Sequence, residues 1–160
     1  MQTTKLALHT IKNNDSTFDV SITENVMDAE HISYVVLFSD VNAMNALDET
    51  FYVSFRTVEE ADHYVQEFVD KHGMKFVDVD TDTIINTKHF IGIDGMEHDA
   101  ELHRFQCLLQ SKFTSTLAVM YEVHIYTKRS DDEICSKYRY KTFDAARKAY
   151  KLYSGEKRMN

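Results

Sequence analysis

Along the first quarter of the chain, apolar and polar side chains alternate one by one. Phe18, Val20 and Ile22 are interleaved with Asp19, Ser21 and Thr23, the period of a strand with one dry and one wet face. Residues 6–11 continue the pattern across Asn13, Asn14, Asp15 and Ser16, so 6–11 and 18–23 are predicted to form a hairpin. Residues 26–31 read as a short connector, one helical turn at most. Ile32, Tyr34, Val36 and Phe38 then alternate with Val35 and Leu37, which are also apolar; a strand covered on both faces is expected at 32–39. A loop near 42–48 leads to a strand at 51–56 and a helix at 58–72. Strands are expected at 75–79 and 84–93, and a long one at 116–127.

The end of the chain echoes this middle part. Shifted by 85 residues without a gap, Ile32, Tyr34, Val36 and Phe38 fall on Leu117, Val119, Tyr121 and Val123. Val53 and Phe55 fall on Tyr138 and Tyr140, and Thr57 falls on Thr142. Val58, Ala61, Val65 and Phe68 meet Phe143, Ala146, Tyr150 and Tyr153, the spacing of one apolar stripe on a helix. Each helix starts at a threonine suited to the N-cap and ends at a glycine, Gly73 or Gly155. Thr57 with Glu60 has the spacing of a capping box, whereas Ala145 replaces the glutamate in the second copy.

Residues 97–113 are read as a third helix, with Leu102, Phe105, Leu109 and Phe113 as its buried stripe. The expected fold class is α+β: two pseudo-repeated β-β-α units plus an N-terminal hairpin, a mainly antiparallel sheet, and three helices packed on one face. The chain is expected to be a single domain over 1–160. Its parts are the hairpin and connector (1–31), the first unit (32–73), an insertion (74–96), and a helix with the second unit (97–160).

Composition narrows the chemistry. With 43% apolar and 28% charged residues over 160 positions, the chain suits a folded globule. No apolar run approaches the roughly 20 residues that span a bilayer, and the expected location is a reducing cytoplasm. Four glycines and no proline leave no phosphate-cradling glycine loop, and neither GxSxG nor HExxH occurs. Cys107 and Cys135 are far apart and form no CxxC pair. The net charge of −8 is uneven: residues 1–127 carry −13 and residues 128–160 carry +5. Such asymmetry points to a charged partner or a self-complementary surface.

Four groups of residues are candidates for a site. The helix at 58–72 presents an acidic face, Glu59, Glu60, His63 and Glu67, in which His63 is spaced for ion pairing with either neighbouring turn. The last strand and helix present a basic set, Lys137, Arg139, Lys141, Arg147, Lys148 and Lys151. Alternation places Asp78, Asp80 and Asp82 on one side. They do not make an EF-hand loop, since Thr83 replaces the turn glycine and His89 the final glutamate. Nor do they make the nucleophile motif of haloacid-dehalogenase-like phosphatases, because Asp82 occupies its Thr/Val position. Asp99 and His103, one turn apart on the expected helix, could share an ion but supply only two ligands, so no metal or other cofactor is assigned. Glu122 and His124, two apart on a strand, have acid–base potential that Asp80 or Asp82 could join.

These features favour a non-catalytic protein-binding protein. The composition (small, acidic, rich in Asn, Tyr and Met, without Pro or Trp) is similar to that of accessory proteins of tailed bacteriophages, which often bind and inhibit host proteins. That resemblance would put it in the host cytosol. Three alternatives stand beside it. One is a nucleic-acid binder using the basic end with Tyr138, Tyr140, Tyr150 and Tyr153. Another is a metal-dependent hydrolase built on Asp78, Asp80, Asp82, His89, His98, Asp99 and His103. The third is a virion or assembly component that self-associates into a homo-oligomer. No membrane partner is expected.

Overall fold

The computed structural model describes residues 1–42 and 50–155; the loop expected at 42–48 lies outside them from residue 43 onward. Strands β1 (Gln2–Lys12) and β2 (Thr17–Asp28) form the N-terminal hairpin. Asn13 closes its turn by accepting from the backbone N–H groups of Asp15 and Ser16 at 2.9 and 2.8 Å. Strand β2 runs on through the start of the expected connector because Glu24 is drawn inward. Its carboxylate is buried and accepts from the Tyr34 hydroxyl at 2.7 Å. The Asp28 carboxylate then accepts from the N–H groups of Glu30 and His31, at 2.8 and 3.0 Å, turning the chain into β3 (His31–Asp40).

The described residues form two compact units: residues 1–81 with 106–118, and residues 82–105 with those from 119 onward. The first holds a five-stranded antiparallel sheet in the order β4-β3-β2-β1-β5, where β4 is Thr50–Phe55 and β5 is Lys75–Val79. Helix α1 (Val58–Lys71) packs on it through Val58, Ala61, Val65 and Val69, all buried. Phe38 is fully buried on the same face, 4.6 Å from Phe51 and 4.5 Å from Phe68 between ring centroids. Side chains of this size each contribute about 1.5–3 kcal/mol on burial, so this cluster is a main source of the unit's stability. A bulge between Lys5 and Ala7 on β1 lets both Leu6 and Ala7 enter the core. The Thr57 hydroxyl accepts from the Glu60 N–H at 3.2 Å, capping α1, and Gly73 ends it at φ 61°. Gln66 ties α1 to the 106–118 segment: its amide donates to the Ser115 carbonyl and accepts from the Leu117 N–H.

The second unit holds a four-stranded antiparallel sheet in the order β6-β7-β8-β9. These strands are β6 (Asp82–Ile91), β7 (Glu97–Gln110), β8 (Ser115–Lys128) and β9 (Glu133–Tyr140). Helix α2 (Phe143–Tyr153) covers one face, with Phe143 stacked on Tyr121 at 5.3 Å and Tyr153 on Tyr138 at 4.8 Å. Beneath it Arg104 is fully buried and donates to the Tyr121 hydroxyl at 2.7 Å. Thr142 caps this helix by accepting from the Ala145 N–H at 3.2 Å, and Gly155 follows it at φ 79°.

Three expectations are corrected. Residues 97–113 are not a helix: β7 alternates, burying Ala100, Leu102, Arg104 and Gln106 along one face, while Leu109 and Phe113 are 59% and 86% exposed. Polar Arg104 and Gln106 hold inward positions, which disguised the period of two. There are accordingly two helices among the described residues, and the strands form two sheets rather than one. The pseudo-repeat at a gapless offset of 85 is not confirmed: Phe55 pairs with Tyr34 and Tyr140 pairs with Tyr121, so the strand pairings do not follow that offset. No helix among the described residues is long and apolar enough to cross a membrane.

Candidate functional site

Successive strand residues point to opposite faces, so burying Tyr121 and Tyr138 under α2 turns their neighbours to the other side of the second sheet. There β7 presents Asp99, Glu101, His103 and Phe105, and β8 presents Glu122, His124 and Tyr126. Register adds Asp82 opposite Phe105, His89 opposite Asp99, Arg139 opposite Glu122 and Cys135 opposite Tyr126. A bulge between Ile84 and Asn86 resets β6 so that Asp82 falls on this face.

At the centre the rings of His103 and His124 stack with centroids 4.0 Å apart, and each residue is only 4% exposed. His103 Nδ1 lies 2.7 Å from Asp82 Oδ1, and its Nε2 lies 2.9 Å from Glu101 Oε1. His124 Nε2 lies 2.9 Å from Glu122 Oε1, with its Nδ1 3.5 Å from the Tyr126 hydroxyl. The guanidinium of Arg139 donates twice to Glu122 Oε2, at 3.1 and 3.0 Å. Phe105 lies parallel to the His103 ring at 5.4 Å. The result is two histidine–carboxylate systems in face-to-face contact, one of them held by a cation.

Burial opposes ionisation of Glu122, but hydrogen bonds from His124 and Arg139 outweigh it and hold the carboxyl below its ordinary range. Burial raises Tyr126 well above the usual phenol range, and the Glu101 carboxylate and Cys135 act in the same direction. A cleft of about 400 Å³ opens beside Glu101 and Tyr126, rimmed by Lys88, His89, Asp99 and Glu133. Chemically, the arrangement offers imidazole and carboxylate donors with fixed ring orientations. Glu101, His103 and His124 each bring one donor atom within 4.8 Å of the others, and these are the residues that could hold a metal ion.

The expected metal-ligating residues are redistributed. Asp82 and His103 do meet. Asp99 instead pairs with His89 at 2.7 Å and Lys128 at 3.5 Å. Four residues along a strand span about 13 Å, so Asp99 and His103 share a face without sharing a ligand. The alternation of Asp78, Asp80 and Asp82 is broken where β5 ends at Val79. Asp78 pairs with Thr10, and the Asp80 carbonyl accepts from the Gln106 side chain. His98 sits between Thr127 and Asp94, at 3.0 and 3.3 Å. Glu101 was not grouped with His103 because the two share a face only at strand spacing; the Glu122–His124 pair was legible.

The charged sets are placed as follows. On α1, Glu59, Glu60, His63 and Glu67 are exposed, with His63 paired to Glu67 at 2.9 Å and the Thr57 hydroxyl donating to Glu60. Lys137 and Arg139 lie on the histidine face of the second sheet, opposite His124 and Glu122. Arg147, Lys148 and Lys151 lie on α2, against the other face. Arg147 stands 4.2 Å over the Phe143 ring and Lys148 pairs with Asp144 at 3.0 Å. Lys141 lies between the two sets, after β9 ends and ahead of the Thr142 cap. The chain has no significant match to a family model, a curated protein or a solved structure.

Proposed function

We propose that the protein acts by non-catalytic binding of a protein partner. The observation that carries this reading is on the five-stranded sheet, on the face turned away from α1. Tyr52, Leu37, Ser21 and Leu8 are successive register partners across β4, β3, β2 and β1, and Tyr52, Leu37 and Leu8 are 70%, 38% and 41% exposed. An exposed sheet face is ordinarily polar; a row across one that is apolar at three of four positions, interrupted by Ser21 alone, supports a contact surface. The exposed acids of α1 and the basic side chains of α2 are the secondary surfaces of this reading.

The finer history belongs to the same proposal. The segments β3-β4-α1 and β8-β9-α2 descend from one ββα ancestor, supported by their shared element order and by threonine caps at matching places. Divergence then gave one helix acids and the other bases. The compositional likeness to phage accessory proteins favours a host protein as partner, in the cytoplasm.

The test is affinity capture from the native host's lysate, with nuclease and chelator, comparing wild type with the double variant Leu8→Lys/Tyr52→Lys. A stoichiometric protein retained through both treatments and lost from the variant is expected. Equal recovery by the variant, or recovery of nucleic acid alone, refutes the reading. Recovery of further copies of the chain alone replaces it with self-assembly.

A further inference from the structure

We infer that Glu101, His103 and His124 form a binding site for one divalent transition-metal ion of the zinc class. Two imidazole nitrogens and one carboxylate oxygen lie within 4.8 Å of one another, and both histidines are buried. Donors around a four-coordinate ion with bonds of about 2.0–2.2 Å stand roughly 3.4 Å apart, so closing on an ion requires the stacked His103 and His124 rings to turn until both lone pairs meet it.

The two ring nitrogens of His103 face two carboxylates, Asp82 at 2.7 Å and Glu101 at 2.9 Å, and an ionised carboxylate only accepts. This concentration of acceptors around one imidazole favours a bound cation, and a metal ion there is also within reach of the His124 nitrogen.

Metal-bound histidines characteristically donate their other N–H to a carboxylate, which fixes the ring and raises its basicity. Here Asp82 takes the Nδ1 side of His103 and Glu122 the Nε2 side of His124, and Arg139 fixes Glu122 in turn. This leaves His103 Nε2, a Glu101 oxygen and His124 Nδ1, which would exchange its 3.5 Å contact with the Tyr126 hydroxyl for the ion. Imidazole with a single carboxylate suits zinc, iron, nickel or copper rather than magnesium or calcium, which prefer all-oxygen cages. Asp99, a fourth acid on the same face, is engaged by His89 and Lys128 and stands outside the set. The site lies apart from the apolar row of the five-stranded sheet in the sequence and needs no partner protein.

The experiment is calorimetric titration of the full chain, stripped with chelator and dialysed, with Zn²⁺. Co²⁺ is titrated in parallel, because its visible bands report a nitrogen–oxygen coordination sphere. One equivalent per chain is expected. Glu101→Gln, which keeps shape and is partly exposed, and His124→Gln should each abolish or greatly weaken binding. Asp82→Asn should weaken it about 10–100-fold while leaving the stoichiometry at one. His89→Ala should bind as wild type does. Circular dichroism of each variant separates lost binding from lost folding. Three results would each overturn the assignment: no Zn²⁺ binding by folded wild type, undiminished binding by folded Glu101→Gln and His124→Gln, or equal competition by Mg²⁺.

Discussion

Leu102→Ala and Leu109→Ala separate the strand at 97–110 from the helix its spacing imitates. On a helix the two leucines would lie on one buried stripe and cost the same. In the structure Leu102 is fully buried and Leu109 is 59% exposed. Truncating Leu102 removes three carbons, about 2.4 kcal/mol at ~0.8 kcal/mol per buried group. The cavity left behind brings the loss to about 3–5 kcal/mol. Leu109 is a surface position, where substitutions stay within about 0.5 kcal/mol. Urea unfolding followed by far-ultraviolet circular dichroism and tyrosine fluorescence measures both, with each transition fitted separately because the chain has two compact units. At ~2–4 °C per kcal/mol for a chain of this size, a melting scan should show Leu102→Ala lower by about 6–20 °C and Leu109→Ala nearly unmoved. Equal losses for the two variants would refute the strand.

Thr57→Ala and Thr142→Ala each remove a side-chain acceptor from a helix N-terminus and should each cost about 0.5–2 kcal/mol in denaturant unfolding. Tyr140 is pushed up to about 12 by burial, with Tyr153 and Tyr138 acting in the same direction. A raised phenol favours the folded state below the unfolded value of about 10, and that contribution is lost as pH rises from there through 12. Absorbance titration should therefore show late-ionising phenols from Tyr140 and Tyr126, reduced by one equivalent in Tyr140→Phe; a late component undiminished in that variant contradicts the packing around Tyr140.

How much of the site was legible depended on whether its residues are near in sequence. Glu122 and His124 share a strand face by alternation alone, so their pairing could be read directly. Asp82 reaches His103 across a strand pair whose register a bulge sets, and no local pattern encodes that bulge. The Glu101–His103 pair was obscured by assigning the segment a helical period.

Local rules carried much of the fold. Alternation marked the N-terminal hairpin, β3, β5 and β8, and apolar stripes with threonine caps and glycine stops marked both helices. These are properties of neighbouring residues, and their physical causes act within a turn or a strand pair. Tertiary structure decided the rest. It separated the strands into two sheets, set the register of β8 against β9, and made 97–110 a strand against its apparent stripe. The reason is common to all three. A strand's backbone bonds are completed by other strands, so its identity and register depend on partners distant in sequence. Inside such a sheet a buried arginine or histidine is tolerated once a hydroxyl or carboxylate meets it, as Tyr121 meets Arg104 and Asp82 meets His103.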